Sequence, residues 1–302
     1  MFRTVAFFAL AMVPVSAASI AVQEASAPAI ISTLMPGFYN GYLWSAEPQH
    51  VLTLFAPDGH ELFSLPMRGQ GTGNVRIESV AVDSDQTLAV GWQGPPRMGI
   101  DILDLSGTFV RRIDTGRFVP AHLSFGPDHC LWVLGWQRDE TGKSYDRADY
   151  PILRKYSMDG AQTGAYLLKS LFAEGLPPGT SEWQERRITV TADRVGVEVV
   201  SGNIGNQREW VELDLKGNLT GRWKLDAWDK FPGVVFTSDD QAYVQRYNRE
   251  TKSSRVLRLN HATSTWEVVN TPSEELYGAD GNKLVYAKWP DGVMHLSWLP
   301  QP

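Results

Sequence analysis

The sequence predicts an all-β protein: a six-bladed β-propeller of four-stranded antiparallel blades, with the last blade closed by an N-terminal strand. Three observations predict it. The chain repeats itself, reading "LDLSGTFVRRI" at 103–113 and "LDLKGNLTGRW" at 213–223. Paired runs of alternating residues recur about every 50 positions, a period that marks four-stranded repeats. Past the first residues, no stretch of ten carries a convincing helical period.

The outer hairpins come first in the argument. "VLTLFAPDGHELFSL" (51–65) and "ILRKYSMDGAQTGAY" (152–166) share the design of the quoted pair: strand, short turn with Gly, strand. The turn glycines stand at 59, 107, 160 and 217, in steps of 48, 53 and 57. A tight hairpin turn needs a residue that tolerates positive φ, and Gly does so freely. "RVLRLNHATSTWEVV" (255–269) is a fifth copy that uses Asn260 and Ser264 instead.

An inner hairpin precedes most of these copies. Examples are "SVAVDSDQTLAVGW" (79–92), "LSFGPDHCLWVLGW" (123–136), "ITVTADRVGVEVV" (188–200), "VVFTSDDQAYVQRY" (234–247) and "LYGADGNKLVYAKW" (276–289). Four strands per unit at a fixed period fit a propeller, whereas a β-sandwich has no reason to repeat. The last unit has only three strands before the chain ends. Ala29–Leu34, in "PAIISTLMPG", is expected to supply its outermost strand, since an open blade would expose an edge prone to pairing. A five-bladed ring is the alternative if Gly37–Ser45 is not an inner hairpin.

The inner hairpins, best seen in "VPAHLSFGPDHCLWVLGW" and "IESVAVDSDQTLAVGW", resemble the repeats of six-bladed propellers of the NHL and TolB-like superfamily. The resemblance covers nearly the whole mature chain and implies a fold rather than an activity. Its usual Asp-Gly inner turn is clean here only at Asp280-Gly281. Related propellers include lactonases with a metal in the channel.

The N-terminus reads as a signal peptide over 1–18. Arg3 precedes an apolar run, Val5–Val15, too short to span a bilayer, and cleavage is expected after Ala17 or Ala18. A linker (19–28) and a single propeller domain (29–302) follow. The expected product is exported, periplasmic or extracellular, with no membrane span. Cys130 is the only cysteine, so no intramolecular disulfide can form. With 28 basic against 34 acidic residues, net −6, and no basic cluster, nucleic acid is not an expected partner. A monomer is expected.

Motifs for chemistry are lacking. "GQGTGN" (69–74) leads into a strand, not a helix, so it is no phosphate loop. "DSDQT" (83–87) lacks the Gly and Glu of a calcium loop, and "HELFS" (60–64) lacks the second His of a zinc-protease helix. There is no Gly-x-Ser-x-Gly elbow and no paired histidine spacing. No catalytic residue, metal or cofactor is assigned.

Geometry offers a binding face. Loops from second to third strand and between blades share one face of a propeller, and here they are the long ones: 67–74, 93–98, 137–150, 169–186, 201–208 and 248–254. Long loops on a rigid scaffold commonly carry function. Second strands end in an aromatic at Trp44, Trp92, Trp136, Tyr247 and Trp289; first strands are entered through Glu78, His122, Arg187 and Glu275. The candidate ligand-binding set is Glu78, Trp92, His122, Trp136, Arg187, Tyr247, Glu275 and Trp289. The same aromatics could instead wedge between blades while the charges sit solvated at a rim. His122 is the group expected to make binding depend on pH between about 5 and 8. The segment 169–186 reads as a flap.

These features point to a non-enzymatic exported propeller that binds a protein, peptide or glycan on its mouth face. A metal-dependent, lactonase-like or sugar-acting hydrolase or lyase is the alternative. Such an enzyme needs several oxygen ligands about one cation, and Arg187 fits that poorly.

Overall fold

The computed structural model describes residues 23–26, 37–46, 50–67, 75–94, 97–142, 144–174, 187–202, 207–226, 229, 233–269, 271, 274–290 and 294–302. They form six four-stranded antiparallel sheets arranged as a six-bladed propeller. The first strand in the chain, β1 (Gln23–Ser26), belongs to the last blade. Blade 1 is β2 (Gly37–Tyr39), β3 (Tyr42–Ser45), β4 (Val51–Phe55) and β5 (Glu61–Pro66). Blade 2 is β6 (Arg76–Val82), β7 (Leu88–Gly94), β8 (Arg97–Leu103) and β9 (Phe109–Gly116).

Blade 3 comprises β10 (Phe118–Phe125), β11 (Leu131–Gln137), β12 (Pro151–Tyr156) and β13 (Gln162–Leu168). Blade 4 comprises β14 (Ile188–Val190), β15 (Arg194–Ser201), β16 (Gln207–Asp214) and β17 (Leu219–Lys224). Blade 5 comprises β18 (Val235–Phe236), β19 (Ala242–Asn248), β20 (Ser253–Asn260) and β21 (Thr265–Val269). Blade 6 has β22 (Glu275–Asp280), β23 (Lys283–Lys288) and β24 (His295–Pro300), with β1 outermost. Among the described residues, no helix is long and apolar enough to cross a membrane.

An N-terminal strand closes the ring, but it is not the expected one. β1 pairs with β24 in register from Gln23↔Trp298 to Ser26↔His295. It lies in the stretch 19–28 read as a linker, and Ala29–Leu34 lies outside the described residues. The outer strands explain the difference. β5, β9, β13, β17 and β21 all keep most residues exposed or half-buried. An outermost strand is therefore held by its ladder hydrogen bonds on one edge, and the polar "QEAS" serves as well as an apolar run.

Inner strands show the opposite pattern. Every residue of β10 is buried, as are the first six of β7 and β11. Sheets covered on both faces lose the polar alternation of half-buried strands. Each blade interface then holds an apolar cluster: Trp44, Trp92 and Phe118 across blades 1 to 3, Trp132 and Val197 between 3 and 4, Trp210 and Phe236 between 4 and 5, Tyr243 and Tyr286 between 5 and 6, Phe38 and Trp298 between 6 and 1.

One turn design recurs on both hairpins. At Gly107 the N–H donates to Asp104 O (3.0 Å), and the Asp104 N–H donates to Thr108 O (3.0 Å). Gly217 repeats this on Asp214 at 2.9 Å. Both glycines have positive φ, +82° and +87°. The inner turns use the same bonds but place Gln86, His129 and Asp240 at the left-handed position, with φ of 70°, 58° and 61°. Ser264 fills it in the fifth outer turn, with φ 56°.

Candidate functional site

The mouth face is built from bulges and buried charge. β6 shifts register between Ile77 and Ser79, and Glu78 sits at that bulge, a device that re-aims a side chain. Glu78 is buried, accepts a hydrogen bond from Gln93 Nε2, and lies 3.3 Å from Arg76 Nε. Gln93 Oε1 in turn accepts from Arg138 Nη2 at 2.5 Å, which ties blade 2 to blade 3. Burial raises the Glu78 carboxyl above its ordinary pKa, against the pull of Arg76 and Gln93.

His122 stands beside a second bulge, in β10, and is 2% exposed. Burial, then the Arg187 charge, pushes its pKa well below the ordinary histidine value. The charge change expected of it between about pH 5 and 8 is thereby displaced toward lower pH. Arg187, also buried, donates to Glu198 Oε1 at 3.0 Å.

Glu198 is the hub. Arg208 reaches the same oxygen through Nε (2.9 Å) and Nη2 (2.5 Å), while Oε2 accepts the Val234 N–H at 2.9 Å. Burial alone would raise this carboxyl, but the two guanidinium groups and the hydrogen bonds outweigh it and hold the pKa below the ordinary value. Arg208 continues to Asp229 O at 2.5 Å, and Asp229 pairs with Arg246 at 2.6 and 3.2 Å. The series Arg187–Glu198–Arg208–Asp229–Arg246 thus joins blades 4 and 5.

The aromatics divide. Trp92 lies in the core, donates from Nε1 to Asp101 Oδ1 at 3.0 Å, and is capped by the Arg112 guanidinium 4.7 Å from its ring. Trp136, at the equivalent strand end, packs with Met98, Val119 and Ala121 and meets Tyr145 edge to face at 4.6 Å. Trp289 is half-buried, 6.1 Å from Tyr277. Tyr247 and Glu275 are half-buried, paired across the ladder with Ser254 and Ala287. His122 and Arg187 are brought together electrostatically, as are Glu78 and Arg138.

Glu78, Glu198 and Asp229 do not fit a channel metal. Glu78 faces Arg76, Glu198 faces two guanidinium groups and Asp229 faces one. A divalent cation needs oxygen ligands whose charge is not already neutralised. Among the described residues, three metal-ligating side chains come within 4.8 Å of one another only at Asp83, Asp85 and His129, on the turn face.

A hydrogen-bond network links blades that are not neighbours. Tyr39 of blade 1 reaches Ser124 of blade 3, hydroxyl to hydroxyl at 2.8 Å, and accepts the Phe125 N–H at 3.1 Å. Ser124 Oγ also accepts the Val190 N–H of blade 4 at 3.0 Å. These groups lie beside the tight turns and tie blades 1, 3 and 4 together at that end of the ring.

A stiff arm rises from the rim of blade 3. Arg138 and Tyr145 form a bridge, Asp139 N–H donates to Ser144 O at 2.9 Å, and Arg138 Nη1 to Gly142 O at 3.0 Å. Its base is pinned by Lys169, whose Nζ donates to the carbonyls of Asp146, Arg147 and Ala148 at 3.0–3.1 Å. Ser170 bonds Asp149 beside it. Tyr145 is 44% exposed, and Leu168 (47%) and Leu171 (51%) flank the base. Of the expected flap, 175–186 lies outside the described residues; of the separate loop expected at 93–98, Gln93 and Gly94 pair with Met98 and Arg97 in the β7–β8 ladder.

Gln93, Arg138, Glu198 and Arg208 escaped the sequence reading. Only Glu198 carried a signal, as a lone charge inside the apolar run "VGVEVV".

No protein-family model matches the chain, and no curated protein matches it. Among solved structures it is similar to a candidate exported protein of Bacteroides fragilis, at 10% identity over 96% of this chain and 98% of that one, with a TM-score of 0.52. It is also similar to a luciferin-regenerating enzyme, at 9% identity over 93% and 95% of the two chains, with a TM-score of 0.50. At such identities the likeness is one of fold alone, and the fold is the six-bladed propeller.

Proposed function

We propose that the chain is an exported, non-enzymatic propeller that grips a peptide or protein segment on its mouth face, at the rim of blade 3. The observation that carries this reading is an exposed Tyr145 held on the rim of blade 3 by its bridge to Arg138 and its edge-to-face contact with Trp136, with Leu168 and Leu171 exposed on the same blade. Rigid aromatic anchors lose little entropy when a partner docks, so a pinned Tyr is suited to recognition. The arginine-neutralised carboxylates speak against the lactonase-like alternative. Export rests on the N-terminal pattern, and cleavage after Ala18 would leave β1 in place to close the ring. The inner-hairpin resemblance to NHL and TolB-like propellers suits a binding role.

A displayed-peptide library panned on the purified mature chain tests the reading. Enriched peptides should bind the wild type and drop to background on a Tyr145→Ala, Leu171→Asp variant of unchanged melting temperature. Enrichment indifferent to that variant would sink it. Stoichiometric metal that survives purification, with melting lowered by chelator, would favour the alternative.

A further inference from the structure

Away from the mouth, a groove of about 640 Å³ lies between the outer strand of blade 4 and the outer turn of blade 5. Its size falls within the roughly 300–1,000 Å³ of small-molecule clefts. Trp223 and Trp266 supply its aromatic surface, and Arg194, Arg222 and Lys224 its charge. No lining residue is acidic, although the whole chain carries a net charge of −6. Arg222 is held by buried Glu209, and Arg194 by buried Glu212 and, at 3.7 Å, half-buried Asp240.

Two groups are left over. The Lys224 ammonium is exposed and has no carboxylate partner among the described residues. The Trp266 indole N–H is buried with no hydrogen-bond partner there. A buried donor without an acceptor is costly, and native structures rarely keep one without a reason.

We propose that this groove binds an acidic saccharide, a uronic-acid unit of a longer glycan. Indole faces offer flat apolar area to the C–H face of a pyranose ring. Lys224 and Arg222 take the carboxylate through charge-assisted bonds, and Thr220 and Ser264 bring hydroxyl-bearing side chains to the lining. The walls favour a sugar over a nucleotide. Trp223 and His261 stand perpendicular, 5.4 Å apart at 89°, which makes a corner rather than the parallel slot a nucleobase would need.

The test uses the purified mature chain with trigalacturonate, neutral galactotriose and AMP as probes, followed by tryptophan fluorescence and calorimetry. Trigalacturonate should quench and bind, more weakly as salt rises. Lys224→Glu, at an exposed and unpartnered position, should fold normally and weaken binding by about tenfold or more. Trp223→Ala should abolish it. The Tyr145→Ala, Leu171→Asp variant should bind trigalacturonate as the wild type does, which separates this groove from the mouth. No binding of trigalacturonate, equal binding by Lys224→Glu, or equal binding of galactotriose or AMP would overturn the proposal.

Discussion

Tyr39 and Ser124 meet at 2.8 Å although their blades are not neighbours in the ring. Both are buried, at 3% and 0% exposure, so each lost partner leaves a polar group in a dry place. Tyr39→Phe strips an acceptor from the Phe125 N–H, and Ser124→Ala strips one from Val190. Each should cost about 1–3 kcal/mol, the usual penalty for orphaning a buried group. Urea unfolding of both single variants and the double variant closes a cycle. A coupling energy above roughly 0.5 kcal/mol is expected for groups in one network, and strict additivity would mean the network is not shared.

Ring closure gives a second prediction. Deleting residues 23–26 removes the partner of β24 from Trp298 to His295 and exposes a blade edge. The melting temperature should fall sharply and aggregation should rise. Replacing the same four residues by another short polar strand, such as Thr-Lys-Thr-Thr, should restore most of the loss, because backbone pairing is what the position supplies. Failure of that rescue would point to side-chain contacts instead.

The turns separate strain from contact. A Cβ on Gly107 would lie 3.1 Å from Phe63, but on Gly217 it would lie 2.0 Å from Tyr166 Cε1. Gly107→Ala should therefore cost little beyond the left-handed penalty of about 1–2 kcal/mol, and Gly217→Ala distinctly more. Gln86→Gly should go the other way and stabilise by up to about 1 kcal/mol, since Gln86 is exposed at positive φ. Asp240→Gly should still destabilise. Its carboxylate accepts from Thr191 Oγ1 at 2.5 Å and faces Arg194 at 3.7 Å. Thermal melts of the four variants check the order.

His122 predicts a slope in pH. The folded chain keeps it neutral where the unfolded chain, with a pKa of about 6.5, takes up a proton. The unfolded state then binds more protons, so the contribution is full above about pH 6.5 and is lost as pH falls. Glu78 acts in the opposite sense: with its folded pKa raised, it protonates first in the folded state and softens the loss at lower pH. Unfolding free energies at pH 7.5 and 5.5 should differ less in His122→Gln than in the wild type. The difference in slope can reach about 1.4 kcal/mol per pH unit for one proton. Identical slopes would contradict a buried neutral His122.

The architecture was legible because its punctuation is local. Gly59, Gly107, Gly160 and Gly217 mark the outer turns in the sequence itself, and the structure keeps each at positive φ. The inner turns were harder because His129 and Asp240 occupy the strained position with side chains that lock adjacent blades, to Asp83 at 2.6 Å and to Thr191. The closing strand was missed because a search for apolar runs passes over "QEAS". Trp92 and Trp136 look alike in the repeat, yet one donates to Asp101 and the other meets Tyr145 from the arm. Their difference lies in partners distant in sequence, which repetition cannot reveal.

The pairing of β1 with β24 also bears on folding. The first strand to be made has no mate until the last has been made, and joining chain ends so far apart carries a large loop-closure entropy. Contacts of such high sequence separation form slowly. Covering the outer edge of β24 is therefore the slow contact of the ring, and a chain truncated before His295 lacks the strand that β1 pairs with. Completion of the ring thus ties its stability to two segments about 270 residues apart, so damage at either is felt at the other.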